Sequence, residues 1–189
     1  MTRSIYYLPG YGGRLGTGLG EGLQSRGYDV AGRETVGEFK SLPFQEQVAV
    51  ITQDLTSLYW HADACVIANS FGAYLFLHAQ AQTEPYIGRV LLLSPIVGEF
   101  SNEETGMNFI PPRSGRLQEF AQSGKYPVPH HCEIHVGEHD WQSNPEDVVA
   151  LAGLLGLKVT VVPGAGHMLG KGYVSAVLDR WLDDNYDGT

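Results

Sequence analysis

Short apolar runs alternate along this chain with longer stretches of helical periodicity. Ile5–Leu8 is an apolar run that stops at Pro9-Gly10-Tyr11-Gly12-Gly13, and Tyr28–Val30 is a weaker second run. In the stretch from Ser41 to Trp60, Val48, Ile51, Leu55 and Leu58 recur three and four apart, the spacing of an amphipathic helix. Ser41 is the expected cap of that helix, with Pro43 in its first turn. Cys65–Ala68 predicts a third strand and Phe71–Gln80 a helix directly behind it. Arg89–Pro95 is apolar without alternation, as a parallel strand covered on both faces is. Cys132–Asp140 and Lys158–His167 are two further strands with their exit loops. Between them Asn144 as cap, Pro145 in the first position, Glu146 and Asp147 in the first turn and Gly156 at the end delimit a helix. Tyr173–Asp184 closes the chain as another.

Six strands separated by helical segments predict an α/β fold, a parallel sheet with helices on both faces, in a single domain spanning 1–189. One stretch interrupts the alternation. Val97–His130 is too long for an ordinary connection and reads as a short lid or binding loop, with Arg116–Gln122 a short helix inside it. Ligands of open α/β sheets bind at the carboxyl ends of the strands. The segments to inspect are therefore those following Leu8, Ala68, Leu93, Val136 and Val162.

Composition narrows the partners. With 43% hydrophobic and 17% charged residues the chain can bury a core and is not disordered. A net charge of −9 argues against nucleic acid or an anionic membrane surface as the main partner and says little else; a small-molecule substrate is expected from the candidate site, not from the charge. Cys65 and Cys132 lie in apolar strands without a metal-like spacing, so both are expected to be buried, reduced thiols. The N-terminal apolar run is too short for a signal peptide, and no stretch approaches the roughly 18 apolar residues of a membrane span. The expectation is a cytoplasmic protein; the sequence sets no oligomeric state.

The candidate chemistry begins at Ser70. It ends a buried strand, opens a helix, and stands between Ala68 and Gly72. A turn straight from strand to helix crowds the positions two before and two after the serine, so only small residues fit. It exposes the hydroxyl at a helix N-terminus, as a nucleophile elbow does; a plain helix-capping serine is the competing reading. A serine hydroxyl needs a base, and the base needs an orienting acid. His167 follows the last strand in a glycine-rich loop and is the candidate base. Asp140 follows the penultimate strand and is the favoured acid, with Glu138 in the same loop and Glu99 one strand earlier as rivals. The backbone N–H groups of Tyr11 and Phe71 are the candidate oxyanion donors. Ile96, Val97, Trp141, Met168 and Leu169 flank these positions and are expected to line an apolar acyl pocket.

These segments, in this order, resemble the α/β-hydrolase superfamily, and within it the small, nearly capless serine hydrolases of bacteria. The resemblance spans essentially the whole chain. It implies a three-layer α/β/α domain with sheet order 2-1-3-4-5-6, lacking two N-terminal strands of larger members. It also implies a Ser70–Asp140–His167 triad acting on an ester or thioester, with no cofactor. Two positions depart from the family pattern: Ala68 replaces the first glycine of the elbow, and Pro9 replaces a histidine common before the oxyanion loop. Acyl transfer on the same triad, and a non-catalytic binding role for the fold, are the alternative functions.

Two other signals carry less. The glycines between Gly10 and Gly22 match neither dinucleotide nor P-loop spacing. His130, His131, Cys132, His135 and His139 cluster in sequence, but a strand covered by helices leaves their side chains little access to a metal, and no metal site is assigned.

Overall fold

Burial on both faces of one parallel sheet accounts for the continuous apolar runs. The computed structural model describes residues 3–183. Its central strands are β1 (Ser4–Leu8), β2 (Asp29–Gly32), β3 (Cys65–Asn69), β4 (Arg89–Leu93), β7 (His131–Gly137) and β8 (Lys158–Val162). They lie in the order β2-β1-β3-β4-β7-β8, every pair parallel. With the intervening hairpin strands β5 (Phe100–Asn102) and β6 (Met107–Phe109) set apart, this is the expected order.

Residue parity assigns the two faces. Tyr6, Leu8, Val66, Ala68, Val90, Leu92, Ile134 and Val136 point to one side. There they pack against α3 (Phe44–Leu58), α4 (Phe71–Gln80), α5 (Arg116–Gln122) and α6 (Pro145–Leu155). Ile5, Tyr7, Ile67, Leu91 and Leu93 face α1 (Leu19–Gln24) and α7 (Lys171–Trp181). All of α4 is buried, which is why its sequence shows little amphipathic contrast. The α6 signals are used as read: Asn144 Oδ1 accepts the Glu146 N–H at 2.8 Å, a cap worth about 1 kcal/mol, and Gly156 ends the helix at φ 66°.

Several boundaries differ from the sequence expectation. Ser41 does not cap α3; it ends a separate one-turn helix, α2 (Gly37–Ser41), and its hydroxyl donates to the Gly37 carbonyl. Pro43 occupies the cap position instead. Leu58, at the end of the α3 stripe, is 69% exposed rather than part of the buried face. The second strand is shifted to Asp29–Gly32, and α1 forms within the glycine-rich stretch. The closing helix is Lys171–Trp181; Asp184 lies outside the described residues. Residues 97–130 are not an unstructured loop but the antiparallel β5–β6 hairpin followed by α5.

Candidate active site

Sterics at the β3–α4 junction explain the small residues around Ser70. Ser70 has φ 52° and ψ −122°, a conformation that costs a non-glycine residue about 1–3 kcal/mol. Three backbone hydrogen bonds hold it there: its N–H donates to Leu93 O at 3.0 Å, and its carbonyl accepts from Tyr74 at 3.2 Å and Ile96 at 3.3 Å. A Cβ on Gly72 would lie 2.1 Å from Leu8 O and 2.5 Å from Pro9 O, so α4 can start beside β1 only with glycine there. Ala68 is fully buried beneath the turn.

His167 Nε2 lies 2.9 Å from Ser70 Oγ, and His167 Nδ1 lies 2.9 Å from each Asp140 carboxylate oxygen. The carboxylate can only accept, so Nδ1 carries the proton and the Nε2 lone pair faces the Ser70 hydroxyl. The Asp140 side chain is fully buried, and Oδ1 also accepts the N–H groups of Gln142 (3.0 Å) and Ser143 (2.8 Å). These bonds offset its desolvation and fix its rotamer.

The acid and histidine loops meet at Gly137. A Cβ there would lie 2.4 Å from Gly166 O and 2.5 Å from Ala165 O. Glu138, the rival acid, has another use: its Oε2 accepts the Gly164 N–H at 2.8 Å, tying the same two loops together. Glu99 is exposed beside the hairpin. Ser143 is fully buried and donates to Ser94 O at 2.6 Å, pinning the acid loop to the end of β4.

Gly10 packs on the serine: a Cβ on it would lie 3.0 Å from Ser70 Cβ. This puts the next residue, Tyr11, at the mouth of the site. Among the described residues neither the Tyr11 nor the Phe71 N–H is hydrogen-bonded, and the latter opens the first turn of α4, where the helix dipole favours negative charge. The Tyr11 loop is shaped by Thr35, which the sequence reading missed. Thr35 Oγ1 donates to Gly10 O and accepts the Gly13 N–H at 2.9 Å, and its carbonyl accepts the Gly12 N–H at 3.2 Å. Nothing local in the sequence links Thr35 to that loop.

The expected pocket residues scatter. Ile96 is buried and Val97 half-buried against the α3/α4 core. Trp141 packs edge-on against Phe100 of the hairpin, centroids 5.7 Å apart. Met168 is 84% exposed, whereas Leu169 turns into the opposite core with Val162 and Val177. A cleft of about 220 Å³ opens instead beside Tyr11 and Phe71, with Phe39, Leu42, Phe44, Leu75 and Phe109 among its walls. The hairpin roofs this region through a run of rings, Trp141–Phe100–Phe109–Phe71–Tyr11.

Other candidate groups are used elsewhere. Among the described residues no three His, Cys, Asp or Glu side chains converge as a metal site. His135 bridges Glu133 and Tyr173 at 2.7 Å each, and Arg180 pairs with Glu133, so this face of β7 anchors α7. Burial pushes the Cys132 thiol up to about 12 and raises that of Cys65, so neither is a thiolate at neutral pH. Among the described residues no helix is long and apolar enough to cross a membrane.

The course of the chain through this sheet is that of the α/β-hydrolases, and solved structures share it. It superposes on carboxylesterase CesB (YbfK) of Bacillus subtilis with a TM-score of 0.66 at 15% identity, over 98% of this chain and 85% of that one. For alpha/beta hydrolase domain-containing protein 10 from mouse the TM-score is 0.69 at 15% identity, over 98% and 92%. For the ydeN gene product of B. subtilis it is 0.65 at 12% identity, over 96% and 99%. At these identities the likeness concerns the fold. The sequence itself matches the serine hydrolase family over residues 44–179, more than half the chain, and the protein belongs to that family. The match spans Ser70, Asp140 and His167 and begins after the Tyr11 loop. No curated protein matches the chain by sequence.

Proposed function

We propose that the protein hydrolyses carboxylic esters or thioesters of short acyl groups through an acyl-enzyme on Ser70. The observation that carries this reading is the chain of contacts from Ser70 Oγ to His167 to Asp140, 2.9 Å at each link, at a strained elbow beside two free N–H groups. Ser70 Oγ attacks the carbonyl carbon while His167 Nε2 takes its proton. The Tyr11 and Phe71 N–H groups receive the oxyanion, which develops only on attack. Collapse breaks the bond to the leaving oxygen or sulfur, which takes the proton from His167. Water then attacks the acyl-enzyme by the same route, releasing the acid and restoring the Ser70 hydroxyl. Asp140 keeps the imidazole in the tautomer this requires and stabilises the imidazolium.

A cleft of about 220 Å³, below the roughly 300–1,000 Å³ of sites for drug-sized ligands, supports the preference for short acyl groups. Labelling with a fluorophosphonate, followed by peptide mapping, tests the nucleophile; the adduct is expected on Ser70 and lost in Ser70→Ala. A series of 4-nitrophenyl esters tests the acyl group. An adduct on Ser94, no adduct, or a clear preference for long chains over short ones would overturn the reading.

A further inference from the structure

The cleft beside Tyr11 and Phe71 contains a cation that its own walls do not neutralise. Its lining is apolar apart from the Tyr11 hydroxyl and three side chains, Thr35, Gln47 and Lys40. Thr35 is committed to the loop that carries Tyr11. Gln47 Nε2 donates to the Phe39 and Lys40 carbonyls at 3.0 and 3.1 Å, which pins the end of α2 to α3. Lys40 is thereby held by its backbone while its ammonium lies 4.3 Å from the centroid of the Tyr11 ring. Nearby Arg33 and Arg14 are taken, by Asp54 and Glu34. Among the described residues no carboxylate pairs with Lys40. In a chain of net charge −9 this leaves Lys40, an exposed residue, as a positive charge without a carboxylate partner on the lining of an apolar cleft.

The part of the substrate that enters the slot follows from the chemistry. The leaving group must reach His167 Nε2 to be protonated, and His167 does not line the cleft. Tyr11 and Phe71, whose N–H groups would hold the carbonyl oxygen, do line it. Neither Ser70 nor His167 lines the cleft, so the reacting carbon sits outside it, and the chain attached to that carbon is the part placed to reach in past Tyr11 and Phe71.

We propose that this acyl chain ends in a carboxylate: the substrate is the ester or thioester of a short dicarboxylic acid. Its methylenes pack against Phe39, Leu42, Phe44 and Phe71, and its far carboxylate pairs with Lys40. The modest volume, about 220 Å³, suits a short diacid rather than a long-chain one. The ester part of this assignment rests on the hydrolase reading; recognition of the carboxylate does not. Without a local cation the net negative field of the protein would disfavour such a substrate against a neutral ester of equal length.

The test compares mono(4-nitrophenyl) adipate with 4-nitrophenyl hexanoate, which differ only by the terminal carboxylate. The wild-type protein is expected to favour the adipate in kcat/KM. Lys40→Gln should lower the adipate-to-hexanoate ratio about tenfold, through KM rather than kcat, and Lys40→Arg should restore most of it. A ratio below one in the wild type, or one that Lys40→Gln leaves unchanged, overturns the proposal. Calorimetric binding of monomethyl adipate to Ser70→Ala, with and without Lys40→Gln, needs no turnover. Binding that depends on Lys40 in a protein that never labels at Ser70 would sink the hydrolase reading and keep the carboxylate site. Labelling and hexanoate turnover without adipate preference would do the reverse.

Discussion

Replacing Asp140 by asparagine separates the orienting role of the acid from its structural one. The backbone decides how the new amide sits. Asp140 Oδ1 accepts two N–H groups, from Gln142 at 3.0 Å and Ser143 at 2.8 Å, while Oδ2 faces only His167. In Asp140→Asn the single amide oxygen must take the Oδ1 position, or two buried N–H groups lose their acceptor at about 1–3 kcal/mol each. The amide NH₂ then takes the Oδ2 position, 2.9 Å from His167 Nδ1, where two N–H groups would face each other; this favours Nδ1 as acceptor over donation to the amide oxygen at the same distance. The imidazole proton moves to Nε2 and faces Ser70 Oγ, where a lone pair is required. An error of this kind lowers kcat about 10⁴-fold in another triad enzyme, which at 1.36 kcal/mol per tenfold is about 5 kcal/mol of barrier. Stability should change by only about 1 kcal/mol, because both backbone bonds survive. The assay is kcat on a 4-nitrophenyl ester beside a urea unfolding curve. Glu138→Gln keeps an acceptor for Gly164 N–H, and Glu99 is exposed, so Glu138→Gln and Glu99→Gln should each cost less than about tenfold. A folded Asp140→Asn protein within tenfold of wild-type kcat, or a large loss in either control instead, would refute the tautomer argument.

Three further outcomes follow from the same geometry. Thr35→Val keeps the shape of the side chain but removes both Oγ1 bonds to the Tyr11 loop; kcat should fall about tenfold to a hundredfold with little change in KM, and Thr35→Ser should restore it, whereas an unchanged kcat would show that the loop holds itself. Gly72→Ala and Gly137→Ala drive a Cβ into backbone carbonyls at 2.1 and 2.4 Å, so each should destabilise by about 3 kcal/mol or more in denaturant unfolding; near-wild-type stability would show that these crossings can open. Burial, with smaller contributions from Arg113 and Arg116, holds the His78 imidazole down at about 4 against an ordinary 6.5, and its Nε2 has no partner. The folded state then binds fewer protons than the unfolded one between these values. The associated stability is complete above about pH 6.5 and is lost as pH falls toward 4, a span of about 3 kcal/mol. His78→Phe should flatten urea-unfolding stability over that range, and an unchanged pH dependence would contradict the assignment.

Much of the architecture was legible because it is local. Apolar runs without alternation mark strands covered on both sides, and their order along the chain fixes which loops leave the carboxyl ends. The α6 helix announced itself through Asn144, Pro145 and Gly156, all acting within one turn of the residues they cap. Small residues around Ser70 read correctly as the mark of a tight strand-to-helix turn, since a Cβ at Gly72 meets the end of β1. Local signals failed where packing overrode them. The glycines that hid α1 are poor helix formers, yet the helix forms where Leu23 can be buried against β1. Ser41 had the chemistry of a cap but the chain turned one helix earlier.

What only the tertiary structure decided is which distant groups meet. Sequence placed Asp140 and Glu138 in one loop and favoured Asp140, but did not show which of them meets the base. Parallel pairing of β7 with β8, and the crossing at Gly137, bring Asp140 to His167 and leave Glu138 to Gly164 N–H. The cleft was invisible for the same reason. Its walls come from the loops after β1 and β2 and from α2, α3, α4 and the hairpin, so no window of sequence contains it. The residues that flank the triad in sequence, Met168 and Leu169, point to solvent and into the core. Side-chain periodicity is a property of neighbours along the chain, but a pocket is made by surfaces that meet only when the sheet is assembled.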